Sequence, residues 1–248
     1  MIIRVFDTET TSLDKPFCYN IGYVLIDTDT WKPVLERDYV VEQVWHNLPL
    51  FQSAYYADKR PIYVQRMRAR QTTMDKFGYI CQQMIRENKQ YNIQHAYAYN
   101  SPFDVKVFDF NCDWYKCSNP FDTVQVHDIR GYVHQFLVDK TYKMFCEEYE
   151  LFTDSGNYST TAEAVYRYLF DDEFNEEHTA LADSRIEAEV LRATIDKGAD
   201  ITRDEAVYRS IERKVEKTLH IKTAEQTDYY FDYEKIRINK AKTEITLR

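Results

Sequence analysis

The residues of this chain whose types and spacing could do chemistry begin with two carboxylates, Asp7 and Glu9, in Val5-Phe6-Asp7-Thr8-Glu9-Thr10-Thr11. Ile2, Ile3, Val5 and Phe6 form a short apolar run with strand character, and strand side chains share a face every second residue. Asp7 and Glu9 should therefore project together while Thr8 turns away. Two carboxylates about 4 Å apart repel by roughly 4 kcal/mol at an effective dielectric near 20. A divalent cation is the commonest physical reason to keep such a pair. A solvated strand end, where neighbouring acids are ordinary, is the alternative, and these two residues alone leave both readings open.

Further along lie Asp104, in Asn100-Ser101-Pro102-Phe103-Asp104, and Asp183, in His178-Thr179-Ala180-Leu181-Ala182-Asp183. Each also has a plainer reading. Asp104 in the first turn of a helix would complement its dipole. Asp183 could pair with Arg185, but residues two apart on a helix do not face each other. Its neighbours at three and four residues are Ile186 and Glu187, neither of them cationic. Five residues of helix rotate by roughly 140°, so His178 and Asp183 cannot share one helical face. His178 belongs on the loop entering the helix and Asp183 inside it, both leaning towards one cavity.

The elements that must position these groups can be read from periodicity. Ile21 to Ile26 reads as a buried strand, and Val34 to Val41 as the next antiparallel one, completing a meander with the first. Leu50 to Arg70 reads as helical, interrupted at Pro61. Met74, Phe77, Ile80, Cys81, Met84 and Ile85 repeat at helical spacing, predicting a helix over 73–89 capped by Thr72 or Thr73. Ala96 to Tyr99 reads as a strand returning to the sheet. Pro102 opens a helix with an apolar face of Phe103, Val107 and Phe108. Phe121 to Phe136 reads as a strand leading into a helix. Thr160-Thr161-Ala162-Glu163 is a capping box that opens a helix with Ala162, Val165, Tyr166, Leu169 and Phe170 inward. A long helix then spans Ala180 to Asp196, ended at Gly198. Three strands followed by helices alternating with further strands predict an α/β layered domain with a mixed sheet.

Three segments of the sequence, Phe6 to Thr11, Asn100 to Asp104 and His178 to Asp183, resemble in order the three exonuclease motifs of the DEDDh family. That family includes proofreading subunits and domains of DNA polymerases and the ribonuclease T type enzymes. The resemblance covers roughly residues 1–197 and implies a ribonuclease-H-like mixed sheet flanked by helices. It also implies hydrolysis of a 3′-terminal phosphodiester to a 5′-mononucleotide with two divalent ions, Mg²⁺ or Mn²⁺. Asp7, Glu9 and Asp183 would hold one ion, Asp7 would bridge to a second near Asp104, and His178 would take the proton from the attacking water. Thr10 and Leu13 match positions that contact the terminal nucleotide, and Asn100 and Phe103 match positions that support the site. Ser12 stands where the family usually has Gly. Two cations about 4 Å apart suit in-line displacement at phosphorus, and an imidazole titrating near neutrality suits a general base.

The bulk properties constrain the partners. The chain has 248 residues, 44% of them apolar, with a net charge of −9, which argues against gripping long duplexes by phosphate neutralisation alone. It does not argue against a nuclease whose metals supply the local positive charge. No apolar run approaches membrane-spanning length, and the first residues lack a signal peptide's pattern. Five scattered Cys fit reduced thiols in the cytoplasm. Cys112 and Cys117 could suggest zinc, but no second close pair follows, and free thiols are the preferred reading. The basic residues Lys59, Arg60, Arg66, Arg68 and Arg70 either line a nucleic-acid path or form a solvated face, the commoner case. Arg209, Arg213, Lys214 and Lys217 have the same status.

The expected organisation is an exonuclease domain over 1–199 and an extension over 200–248. In that extension Thr202-Arg203-Asp204-Glu205 would cap a charged helix to about Leu219, and 229–247 would form a small hairpin. The expected substrate is a single-stranded or frayed 3′ end, DNA favoured over RNA, and a DNA polymerase or other replication protein is an expected partner. The competing readings are a non-catalytic docking module of a replication complex, an exoribonuclease, and a phosphatase or other metallohydrolase.

Overall fold

The computed structural model describes residues 1–170, 173–174, 177–203 and 211–212, together with four short strands beyond them. The chain divides into two compact units, one of Met1–Leu151 with Ser159–Arg209 and one of Phe152–Tyr158 with Ser210–Arg248.

The larger unit is built on a mixed sheet. Its strands are β1 (Ile2–Thr10), β2 (Cys18–Asp27), β3 (Lys32–Val41), β4 (Thr73–Asp75), β5 (His95–Ala98) and β6 (Gln125–Asp128). Their order across the sheet is β4-β3-β2-β1-β5-β6. The antiparallel meander β1–β2–β3 is the one expected from sequence, and β5 lies parallel to β1 on its other side. β2 is buried along nearly its whole length. Between β3 and β4 come α1 (Glu42–Trp45), α2 (Leu48–Gln52), a 3₁₀ turn at Ala57–Lys59 and α3 (Arg60–Arg68). Then follow α4 (Phe77–Gln90), α5 (Ser101–Tyr115), α6 (Ile129–Phe136), α7 (Lys140–Glu148), α8 (Ala162–Leu169) and α9 (Ala180–Asp196). This is the ribonuclease-H-like α/β arrangement. No helix among the described residues is long and apolar enough to cross a membrane.

Several expectations shift in detail. Pro61 opens α3 rather than interrupting a helix, where its missing N–H costs nothing. Thr73–Asp75 is not the first turn of a helix but strand β4, paired in parallel with β3. The open edge of β3 satisfies the backbone of these residues, while Thr72 donates its hydroxyl to Asp38 instead of capping. Met74 is consequently exposed, and the buried face of α4 starts at Phe77. That face also carries Glu87 and Asn88, which hold the buried Arg4 of β1. Thr161, not Thr160, caps α8 through the Ala164 N–H, and Phe170 ends outside the core.

In the smaller unit, Phe152 and Tyr158 form an antiparallel bridge around a turn at Gly156, whose φ is +80°. Two antiparallel pairs follow, β7 (Thr218–Lys222) with β8 (Asp228–Asp232), and β9 (Ile236–Asn239) with β10 (Glu244–Leu247). The hairpin expected over 229–247 thus corresponds to β9–β10, with Tyr229 belonging to the other pair. The expected charged helix falls largely outside the described residues, as do Arg209, Arg213, Lys214 and Lys217. Thr218 and Leu219, at its expected end, are strand.

Candidate active site

The carboxylates expected from sequence come together at the end of β1. Asp7 lies opposite Gly22 of β2 in the ladder, and Glu9 lies opposite Asn20. α9 crosses β2 at that point. Its entry is fixed by Asn20, whose Oδ1 accepts the Ala180 N–H at 2.8 Å and the Tyr63 hydroxyl at 3.0 Å. The Ser184 hydroxyl donates to the Gly22 carbonyl at 3.0 Å. Asp183, in the first turn of α9, is thereby carried onto Asp7 and Glu9. Ligand oxygens of the three residues lie within 4.8 Å of one another.

Asp104 is placed from the other side. Asn100 adopts a left-handed conformation (φ +63°) and turns the chain from β5 into α5, with Pro102 in the first turn. Asp104 is buried there, and its Oδ1 accepts the Thr8 hydroxyl at 2.6 Å. Thr8 does turn away from the face of Asp7 and Glu9, and in doing so it reaches Asp104. Asn100 donates its N–H to Asp128 at 2.8 Å, and Phe103 packs against the core.

Glu187 joins this group although the sequence reading gave it no role. It is buried one helical turn beyond Asp183 and accepts the Tyr99 N–H at 3.2 Å. The i,i+4 spacing from Asp183 was the available signal. Burial raises its pKa well above the ordinary carboxylate value, and the charges of Asp7, Asp104 and Asp183 push the same way. Burial, then Asp7, raises Asp104 similarly, and burial lifts Asp7 to about 7.

These shifts have a consequence for stability. Between its ordinary pKa of 3.8 and about 7, folded Asp7 keeps a proton that the unfolded chain has released. The folded state then binds more protons, and stability falls as pH rises through that window. In chelator, the melting temperature should drop by about 5 °C between about pH 5 and pH 8. Added Mg²⁺ should abolish the drop. A metal-free melting temperature that is flat or rising over this range would show that burial does not hold a proton on Asp7 in the folded chain.

His178 occupies the loop before α9 in a left-handed conformation (φ +57°). Its ring stacks on Tyr56, with centroids 4.3 Å apart. Burial and then the charge of Lys59 lower its pKa, opposed by Glu163 and Asp58. Thr10 donates to the Ser12 carbonyl, and Leu13 is 75% exposed. Ser12 avoids the left-handed region that a Gly would permit. It closes the turn with its hydroxyl, which donates to the Lys15 carbonyl and accepts the Lys15 N–H. Two of the basic residues prove to be structural. Arg66 hydrogen-bonds Glu177 and Thr179 and faces Asp38, which pins the loop preceding α9. Arg60 lies over Trp45 and Phe51.

Oxygen ligands on three converging carboxylates form a hard donor set of the kind that suits Mg²⁺ or Mn²⁺. No protein-family model matches the chain, and no curated protein matches it by sequence. Solved structures do match. The nuclease domain of 3′hExo, a DEDDh family member bound to rAMP, superposes with a TM-score of 0.55, covering 86% of this chain and 96% of that one at 14% identity. A 3′-exonuclease recognising a histone mRNA stem-loop gives 0.56, over 86% of this chain and 71% of that one, again at 14% identity. The chain has the fold of DEDDh 3′ exonucleases. A full-length 3′-exonuclease gives 0.53, over 79% of this chain and 82% of that one, also at 14% identity. In the exonuclease fold of this chain, β1 supplies Asp7 and Glu9, α9 supplies Asp183 and Glu187, and the first turn of α5 supplies Asp104.

Proposed function

We propose that the protein is a metal-dependent 3′–5′ exonuclease that removes 5′-mononucleotides from single-stranded or frayed ends. The observation that carries this reading is the convergence of Asp7, Glu9 and Asp183 within 4.8 Å, with Asp104 held against Thr8. Five buried or half-buried acids at one strand end, Glu187 included, cost stability. A docking module would have no use for that cost.

Asp7, Glu9 and Asp183 would hold one divalent cation, and Asp7 with Asp104 a second. Such ions activate the attacking water and stabilise the leaving oxygen of an in-line displacement. Thr8 keeps the Asp104 carboxylate oriented through its 2.6 Å hydrogen bond. Leu13, exposed beside the site's entry strand, is available as an apolar wedge against the terminal base, with Thr10 beside it. Lys106 donates to the Leu13 carbonyl at 2.9 Å and steadies that loop. Asn100 and Phe103 support the α5 turn. His178, neutral at physiological pH because its pKa is lowered, would accept the water's proton after leaving its stack on Tyr56.

A general base of this type contributes about 10²–10⁴-fold, so His178→Ala should lower the rate by that factor while the melting temperature falls by only a few degrees, from the lost stack on Tyr56. The wild-type rate should decline on acidification only below the usual histidine value of 6.5. A rate unchanged in His178→Ala would remove this residue from the mechanism.

The test of the function is digestion of matched DNA and RNA oligonucleotides, single-stranded and duplex, labelled at the 5′ end, with Mg²⁺, Mn²⁺ or chelator. Stepwise metal-dependent shortening from the 3′ end is expected, with DNA the sequence-based preference. Two neighbours whose ligands are rAMP and an mRNA stem-loop favour the exoribonuclease alternative, and the same experiment separates the two. Absence of shortening on every substrate would end the nuclease reading.

A further inference from the structure

Away from the acids, three cysteines meet between α4 and the end of α5. The Sγ atoms of Cys81, Cys112 and Cys117 all lie within 4.8 Å of one another, and those of Cys81 and Cys112 are 4.0 Å apart. Cys81 and Cys112 are buried, and Cys117 is half-buried.

The backbone is arranged to make this cluster. Lys116 ends α5 in the left-handed region (φ +54°). That reversal lets the Cys117 N–H bond the Cys112 carbonyl at 3.0 Å and brings the two sulfurs to the same side. On the facing helix, Gly78 lies in the first turn of α4. A Cβ at Gly78 would sit 3.4 Å from the Cys117 Cβ and 3.9 Å from its Sγ. These are ordinary contact distances, so the first turn of α4 lies directly against Cys117, placing that sulfur beside the amino-terminal end of the helix dipole, which favours a thiolate.

We propose that Cys81, Cys112 and Cys117 form a structural site for a thiophilic d¹⁰ cation, zinc, joining α4 to α5. Tetrahedral Zn–S bonds of about 2.3 Å place sulfurs about 3.8 Å apart, so the Cys81–Cys112 pair at 4.0 Å must close by only tenths of an ångström, and the pairs with Cys117, within 4.8 Å, by at most about 1 Å. A donor set of three sulfurs and no carboxylate selects a soft ion, whereas the acid cluster selects a hard one. The two sites should therefore load different metals from one solution. The fourth zinc position is left to solvent, reached past the half-buried Cys117, or to the Ser118 carbonyl, 3.7 Å from the Cys112 sulfur. Binding releases the thiol protons to solvent as the Zn–S bonds form.

The experiment uses the full chain, stripped of metal and kept reduced, and titrates it with Co²⁺ and then with Zn²⁺. One equivalent of Co²⁺ should produce a thiolate-to-metal charge-transfer absorption, and Zn²⁺ should bleach it. A carboxylate site gives no such band, so Asp7→Asn should leave it intact and Cys117→Ser should abolish it. Zinc at about a hundred times its dissociation constant should raise the melting temperature by about 5–10 °C, with no rise in Cys117→Ser. Because Cys117 is half-buried, that variant should melt close to the metal-free wild type, which separates lost binding from lost folding. No charge-transfer absorption in the wild type would overturn the proposal. So would a band that persists in Cys117→Ser, or a Cys81–Cys112 disulfide in protein isolated without reductant and free of metal.

Discussion

Replacing Asp183 by Asn should reduce nucleotide release by about 10³-fold or more, corresponding to about 4 kcal/mol of lost transition-state stabilisation. The same should hold for Asp7→Asn. Either substitution keeps the volume and removes a negative charge from a group whose ligand oxygens crowd within 4.8 Å. Two such charges repel by roughly 4 kcal/mol at an effective dielectric near 20. The metal-free variant should therefore melt as high as the wild type or several degrees higher, while Mg²⁺ should stabilise it less. Activity and metal-free stability should move in opposite directions. A variant that loses both would show these acids serving the fold, and one that keeps its rate would dissolve the proposed active site.

Gly22→Ala should have the second large effect, on the scaffold. Gly22 pairs with Asp7 in the ladder. A Cβ built on it would stand 2.0 Å from the Leu181 nitrogen, 2.1 Å from the Ala180 carbonyl carbon and 2.4 Å from the Leu181 Cα. These are backbone atoms of α9, so no rotamer change relieves the overlap. Overpacking commonly costs about 1–3 kcal/mol, and this contact should exceed that range. α9 must lift, straining the Asn20 and Ser184 hydrogen bonds and carrying Asp183 away from Asp7. Thermal melting should show a loss of about 8 °C or more, and Mg²⁺-induced stabilisation should shrink with it. Gly22→Ala protein with wild-type melting and wild-type metal response would show that α9 does not seat on this glycine.

The motif acids could be read from the chain because each is tied to a local signal. Asp7 and Glu9 follow an apolar strand at a spacing of two, and Asp104 follows a helix-opening proline. The span of α9 was also readable, since the Ala180–Asp196 pattern ends at Gly198, whose φ is +98°. Residues whose role depends on a distant partner carried no such mark. Gly22 looks like one glycine in a buried strand until α9 lies on it. Arg66 looks like part of a solvated basic face until the loop before α9 folds against it. Thr73 looks like a helix cap until the open edge of β3 takes up its segment. Cys81 is 31 residues from Cys112, so a search for closely spaced pairs passes over it.

By itself the sequence determined the β1–β2–β3 meander, the span of α9, the three motif segments and the acids they carry, because alternation, helical repeats and capping residues act over a few positions. Tertiary structure alone decided that these acids converge, that Glu187 joins them, that His178 rests on Tyr56 and that three sulfurs meet between two helices. Convergence depends on which strand lies beside which and on how closely α9 approaches Gly22. Those distances are set by packing between segments up to 162 residues apart, as in the Gly22–Ser184 hydrogen bond, and no local pattern records them.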